Sequence, residues 1–182
     1  MLTNLAIIGA GPLGRRLAWR AARAGFRVSL EDVMPSHLEH ARETLRREFS
    51  TESLSREAGG GIRFVSSIED AVRDADIAID CVPDELESKL EILWLLDRMA
   101  PPHTIFATPT TNLSIADLGA CTYRADKCIA IAASPAELTD LAANAGAEIP
   151  LQTADATAAE TVALVEQFWR DLGFSVRVEH GL

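Results

Sequence analysis

Residues 5–25 read LAIIGAGPLGRRLAWRAARAG, and this stretch decides the fold. An apolar, strand-like run leads directly into Gly9-x-Gly11-x-x-Gly14, and the glycines open an amphipathic helix. A lone G-x-G-x-x-G says little; placed after a strand and at the mouth of a helix it specifies a nucleotide-binding βαβ turn. In such a turn Gly9 permits the tight bend, Gly11 lets the backbone approach a diphosphate, and Gly14 allows close packing of helix on strand. Pro12 and Leu13 lie in the helix's first turn, whose amides and dipole favour an anion.

Eighteen positions after Gly14 stands Asp32, in SLEDV at the end of the next strand-like run. A carboxylate there accepts hydrogen bonds from an adenosine ribose and repels a 2′-phosphate, so the expected cofactor is NAD and not NADP. Glu31, its neighbour, could share or take the role.

Outward from this unit, short apolar runs alternate with helical patterns to the end of the chain. That alternation marks an α/β fold with a mainly parallel sheet. We therefore expect one domain over residues 1–182, a Rossmann-type, doubly wound sheet of about eight strands. The predicted strands are 5–8, 27–30, 62–65, 77–82, 104–107, 128–132, 149–152 and 174–178. IAIDCV and CIAIAA lack polar alternation, as strands covered on both faces do. Ser36 with Glu39, and Thr157 with Glu160, are predicted capping boxes. Leu38, Ala41, Leu45 and Phe49 form the apolar stripe of the first of these helices. Val162, Val165, Phe168, Trp169 and Leu172 form that of the second, read as sheet-packing core. Gly59-Gly60-Gly61 lacks a downstream Lys-Ser or Lys-Thr and reads as a connection, not a P-loop.

Composition narrows the function classes. The 182 residues carry a formal net charge of -10, a field that repels a polyphosphate backbone and argues against a nucleic-acid partner. Mean hydropathy is +0.08, and no run approaches the length of a membrane span or a signal peptide. Cys81, Cys121 and Cys128 make neither an even set nor a CxxC pair, so we expect no disulfide framework, no metal site and a reducing cytoplasm.

Residues 74–118, DADIAIDCVPDELESKLEILWLLDRMAPPHTIFATPTTNLSIADL, and 164–179, LVEQFWRDLGFSVRVE, add a more specific signal, centred on HTIFA at 103–107. Together with the glycine turn they resemble the L-3-hydroxyacyl-CoA dehydrogenases over nearly the whole chain. The resemblance implies NAD-dependent hydride transfer on a 3-hydroxyacyl-CoA, or a small 3-hydroxy acid, in fatty acid metabolism. It places Asp84 and Lys89 on the nicotinamide side, Thr111 near the substrate oxygen, and Ser134 on the asparagine of the family's H-F-F-N-P motif. On this reading the cofactor is held by Gly9, Gly11, Pro12, Leu13, Gly14 and Asp32, then by Cys81, Val82, Asp84, Lys89 and Thr111. Thr111, Lys89 and Ser134 are the catalytic candidates.

The departures point the other way. Residues 128–135 read CIAIAASP, so Ile131 or Ala132 occupies the place of the family's catalytic histidine. Neither Glu137 nor Glu148 takes the place of its glutamate partner. A positioned acid–base group contributes on the order of 10²- to 10⁴-fold to such a reaction. His103 is expected at the far end of its strand, His37 and His40 on the adenosine side and His180 near the terminus, all in solvated or structural roles. The segment LRREFSTESLSREAGGGIRF is shorter than the family's CoA-binding excursion, and the chain reaches Leu182 about where the family's helical second domain begins. Three readings follow. The chain is a cofactor domain completed by a second copy or a separate subunit, a non-catalytic NAD-binding module, or a dehydrogenase of another small 3-hydroxy acid with Lys89 as proton donor.

Overall fold

Asn4–Ile8 (β1) is buried from Leu5 onward, with Leu5 and Ile7 in one apolar cluster and Ala6 and Ile8 in another. A strand that buries both faces belongs at the centre of a sheet. The computed structural model describes residues 2–48 and 61–181. In chain order the other elements are α1 (Pro12–Arg23), β2 (Arg27–Glu31), α2 (Pro35–Glu48), β3 (Gly61–Val65), α3 (Ile68–Val72), β4 (Ile77–Asp80) and α4 (Leu86–Met99). Then follow β5 (Ile105–Pro109), α5 (Ile115–Ala120), β6 (Cys128–Ile131), α6 (Pro135–Ala143), β7 (Glu148–Thr153), α7 (Ala159–Asp171) and β8 (Ser175–His180).

The strands form one sheet in the order β3-β2-β1-β4-β5-β6-β7-β8. Every pairing is parallel except β6 with β7, where the chain turns back. The side chains of α1, α2, α6 and α7 build the core on one face, and those of α3, α4 and α5 build it on the other. On the first face Phe26, Phe168, Trp169 and Phe174 meet edge to face, so the α7 stripe is core, as its spacing predicts. The order reverses at β1, whose neighbours β2 and β4 lead away in opposite directions. Ligands of doubly wound sheets gather in the crevice outside the carboxyl ends of strands at such a switch point.

Several local expectations need correction. Ser36 lies inside α2, which starts at Pro35; a proline suits a helix's first position, and the Met34 amide before it is held by the Asp32 side chain. Thr157 lies before α7 and does not cap it. Its hydroxyl donates to the Cys128 carbonyl and accepts from the Ala154 amide, tying the loop to β6. The capping box forms instead at Ser134 and Glu137, at the start of α6. β4 ends at Asp80, two residues early, although the Cys81 amide still donates to Ile8. β5 runs on to Pro109, which faces Ile131 of β6. Phe49, Gly59 and Gly60 lie outside the described residues, and Gly61 opens β3.

Candidate functional site

The glycine turn has the geometry its sequence demands. Gly9 takes φ +109°, a region that favours glycine, and its amide donates to the Glu31 carbonyl at 2.8 Å. Gly14 lies so close beneath it that an added Cβ would stand 1.9 Å from the Gly9 carbonyl oxygen. Gly11 is the opposite case: a Cβ there would meet nothing within 4 Å. It caps α1, whose first turn contains no acid and receives no side-chain cap. The free amides of that turn and the positive end of the helix dipole therefore face open space above Gly11.

On one side of the turn the Asp32 carboxylate is tied down by three donors. Its Oδ2 accepts from the Ala10 amide at 3.0 Å; its Oδ1 accepts from the Met34 amide at 3.0 Å and meets His37 Nδ1 at 3.1 Å. Arg15 reaches back from α1 to donate to the Ala10 carbonyl at 3.1 Å. Glu31 is buried, and burial together with the adjacent Asp32 charge pushes its carboxyl up to about 7. Asp32 is less buried, its side chain 13% exposed at the rim of the turn.

On the other side lie the ends of β4, β5 and β6. Asp84 Oδ2 accepts from the Thr111 amide at 3.0 Å and from the Thr111 hydroxyl and Asn112 amide group at 3.4 Å each. Its Oδ1 is buried and receives no hydrogen bond from the described residues. Cys81 lies beneath Gly9, its Cβ 3.4 Å from where a Gly9 Cβ would be, and burial raises its thiol far above the reactive range. Val82 follows it at the rim, half-buried.

Lys89 sits elsewhere. It is fully buried on the inner side of α4, and its ammonium donates to Asp80 Oδ1 at 2.6 Å, closed to solvent on both partners. Burial pushes the Asp80 carboxyl up, and the Lys89 charge opposes that shift. Lys89 is thus one half of a buried ion pair. Ser134 is likewise occupied, exchanging hydrogen bonds with Glu137 in the α6 capping box. Those bonds hold the Glu137 carboxyl below the usual range. Ile131, at the end of β6, is fully buried. His103 faces Asp76 at the amino ends of the strands, and His180 lies between Thr153 and Asp155.

Sequence reasoning did not find Asp80, Asn112 or the contact of His37 with Asp32. Asp80 and Lys89 are nine residues apart across a strand-to-helix turn, which follows no helical or strand periodicity. His37 was expected on the adenosine side, and its position three residues into α2 is the signal that it meets the preceding loop.

The sequence profile of the 3-hydroxyacyl-CoA dehydrogenase NAD-binding domain matches residues 4–176. A probable 3-hydroxybutyryl-CoA dehydrogenase from Bacillus subtilis is 32% identical over 136 residues, covering 70% of this chain and 47% of its own length. A 5-formyl-3-hydroxy-2-methylpyridine 4-carboxylate 5-dehydrogenase from Mesorhizobium japonicum is 31% identical over 95% of this chain and 56% of its own. The crystal structure of a 3-hydroxyacyl-CoA dehydrogenase from Archaeoglobus fulgidus superposes with a TM-score of 0.78 at 27% identity, over 100% of this chain and 57% of that one. The chain thus spans about half the length of the curated relatives it matches. On its glycine turn, its sheet order and these similarities, the chain belongs to the 3-hydroxyacyl-CoA dehydrogenase family and constitutes its NAD-binding domain.

Proposed function

We propose that the chain holds NAD in the crevice outside β1 and β4 and serves a 3-hydroxyacyl-type oxidoreduction as its cofactor-bearing part, without an acid–base catalyst among its described residues. The observation that carries this reading is the open space over Gly11, with Asp32 fixed beside it. The residues fit the cofactor. The backbone of Gly11, Pro12 and Leu13 leaves room for a diphosphate, Asp32 accepts from the adenosine ribose, and the unpaired Oδ1 of Asp84 is an acceptor for a hydroxyl on the nicotinamide side. Bound NAD supplies a hydride acceptor. Thr111 then offers a hydroxyl, and Asn112 an amide, at the substrate side of the same crevice.

The proton on the substrate oxygen must be moved by a group other than these residues. Ile131 and Ala132 have none to give, Ser134 and Glu137 engage each other, and Lys89 is closed off by Asp80. A CoA thioester is the first substrate class. A small carbonyl or hydroxy acid is the second, favoured by the Mesorhizobium japonicum relative, whose likeness runs along 95% of the chain. The free thiols of Cys81, Cys121 and Cys128 agree with a reducing cytoplasm.

Calorimetric titration tests the binding, and NADH absorbance with acetoacetyl-CoA or acetoacetate tests the chemistry. NAD should bind, with NADP weaker by about tenfold. The chain alone should leave NADH unconsumed, because a missing acid–base group costs on the order of 10²- to 10⁴-fold. Ready NADH oxidation by the chain alone would overturn the absence of a catalyst, and equal affinity for the two cofactors would overturn the role of Asp32.

A further inference from the structure

We propose that His37 sets how strongly the site prefers NAD over NADP, by competing with the adenosine ribose for the Asp32 carboxylate when its ring is protonated. The inference rests on Asp32 as the ribose acceptor and goes beyond it in naming the group that regulates it.

A carboxylate offers about four lone-pair positions, and three on Asp32 are already used, by the Ala10 amide, the Met34 amide and His37 Nδ1. A ribose diol that donates to both oxygens needs two positions, and one is open, on Oδ2. The two amides are fixed in the backbone of the glycine turn and of the approach to α2. The His37 side chain is 61% exposed and is the one donor of the three that can swing away.

Protonation changes the terms of that competition. Histidines gain their charge between about pH 5 and 8, and a charged imidazole donating to a carboxylate makes the stronger, charge-assisted bond. The ribose of NAD then displaces His37 less readily. The same cation stands against the Asp32 carboxylate, where it would offset the repulsion of a 2′-phosphate by Asp32. The two cofactors share their diphosphate, so any effect of His37 on that group cancels in the ratio of their affinities.

Other charges surround the pair. Glu31 adjoins Asp32 on β2 and titrates at about 7. Arg15 of α1 is held on the Ala10 carbonyl. Arg63 of β3 is turned to Ser29 and the Asp70 carbonyl, while Glu39 and His40 follow His37 on α2 itself. Protonating Glu31 also relieves repulsion of a 2′-phosphate, and it does so in wild type and His37→Ala alike, so it cancels in the difference between them.

The test is the ratio Kd(NADP)/Kd(NAD), measured by calorimetry at about pH 5.5 and about pH 8, on either side of histidine's range, for the wild type, His37→Ala, Glu31→Gln and Asp32→Ala. Circular dichroism checks that each variant is folded. The 2′-phosphate itself titrates near pH 6 and lowers the ratio equally in wild type and His37→Ala, so the readout is the difference between them. On acidification the ratio should fall about twofold to fivefold further in the wild type than in His37→Ala, and Glu31→Gln should still show a fall, smaller than that of the wild type. Equal falls in wild type and His37→Ala overturn the proposal, as does a fall abolished by Glu31→Gln alone. If Asp32→Ala leaves the ratio at pH 8 unchanged, the ribose reading of Asp32 fails as well, which separates the two failures.

Discussion

Gly11 and Gly14 lie three residues apart in one turn and are glycine for different physical reasons, which two alanine substitutions separate. At Gly14 the new methyl would collide with the Gly9 carbonyl oxygen, a backbone atom that cannot rotate away. Gly14→Ala should therefore lower stability by about 1–3 kcal/mol, the usual cost of overpacking, read as a lower urea midpoint at unchanged slope. At Gly11 the methyl meets nothing in the fold itself, and the one cost is that alanine is a weaker N-cap than glycine, by about 1 kcal/mol. Gly11→Ala should hold its stability to within about 1 kcal/mol yet lose NAD affinity by about tenfold or more, since the methyl occupies the space that a diphosphate needs. A Gly11→Ala variant that binds NAD like the wild type would remove that space as the diphosphate site. These glycines were legible in the sequence because their reasons are local. The tethering of Asp32 was not, because two of its three donors, the amides of Ala10 and Met34, are present in any sequence and only the fold aims them.

Between elements, the decisive contact is the Asp80–Lys89 pair, which fastens the inner side of α4 to the end of β4. Two charges buried this completely are favourable only while both are present, because removing one strands the other without water. Lys89→Met should therefore cost about 3–5 kcal/mol, whereas Asp80→Leu with Lys89→Met should recover much of that loss. Chemical denaturation of both variants decides it. If the double variant is no more stable than Lys89→Met, the pair is not what makes the single change costly. This also explains why loss of turnover in Lys89→Ala would not identify a proton donor: the substitution removes the partner of a buried carboxylate. The same scale is where sequence reading misplaced helix starts. Ser36 and Thr157 have the right residue types and spacing, but a capping box competes with whatever else the hydroxyl can reach. For Thr157 that is the Cys128 carbonyl, and for α2 the end is already served by Asp32. Ser134 and Glu137 have no such rival, and there the box forms.

Over the whole molecule, the doubly wound, mainly parallel sheet was legible because apolar runs alternate with helices, and parallel strands so joined cross over with one hand. The reversal at β7 was not, since a strand's composition carries no record of its direction. One consequence of bringing β1 and β2 together reaches global stability: the glycine turn folds over the end of β2 and buries Glu31 beside Asp32. The folded-state carboxyl of Glu31 lies at about 7, above its ordinary 4.5. Between those values the native state keeps a proton that the unfolded chain has released, so stability falls as pH rises through this window and levels off above it. Asp76 contributes with the opposite sign and outside the window. Burial works to raise it, but the Thr3 and Asn4 amides outweigh that and hold it below its ordinary 3.8, so its contribution is lost only in stronger acid. Glu31→Gln cannot ionise and lacks the decline. Measured by urea denaturation, the variant should match the wild type near pH 4 and exceed it by about 2 kcal/mol at pH 8. A gap that stays the same at both pH values would mean that Glu31 ionises in the fold at no cost, and that the turn leaves it in contact with water.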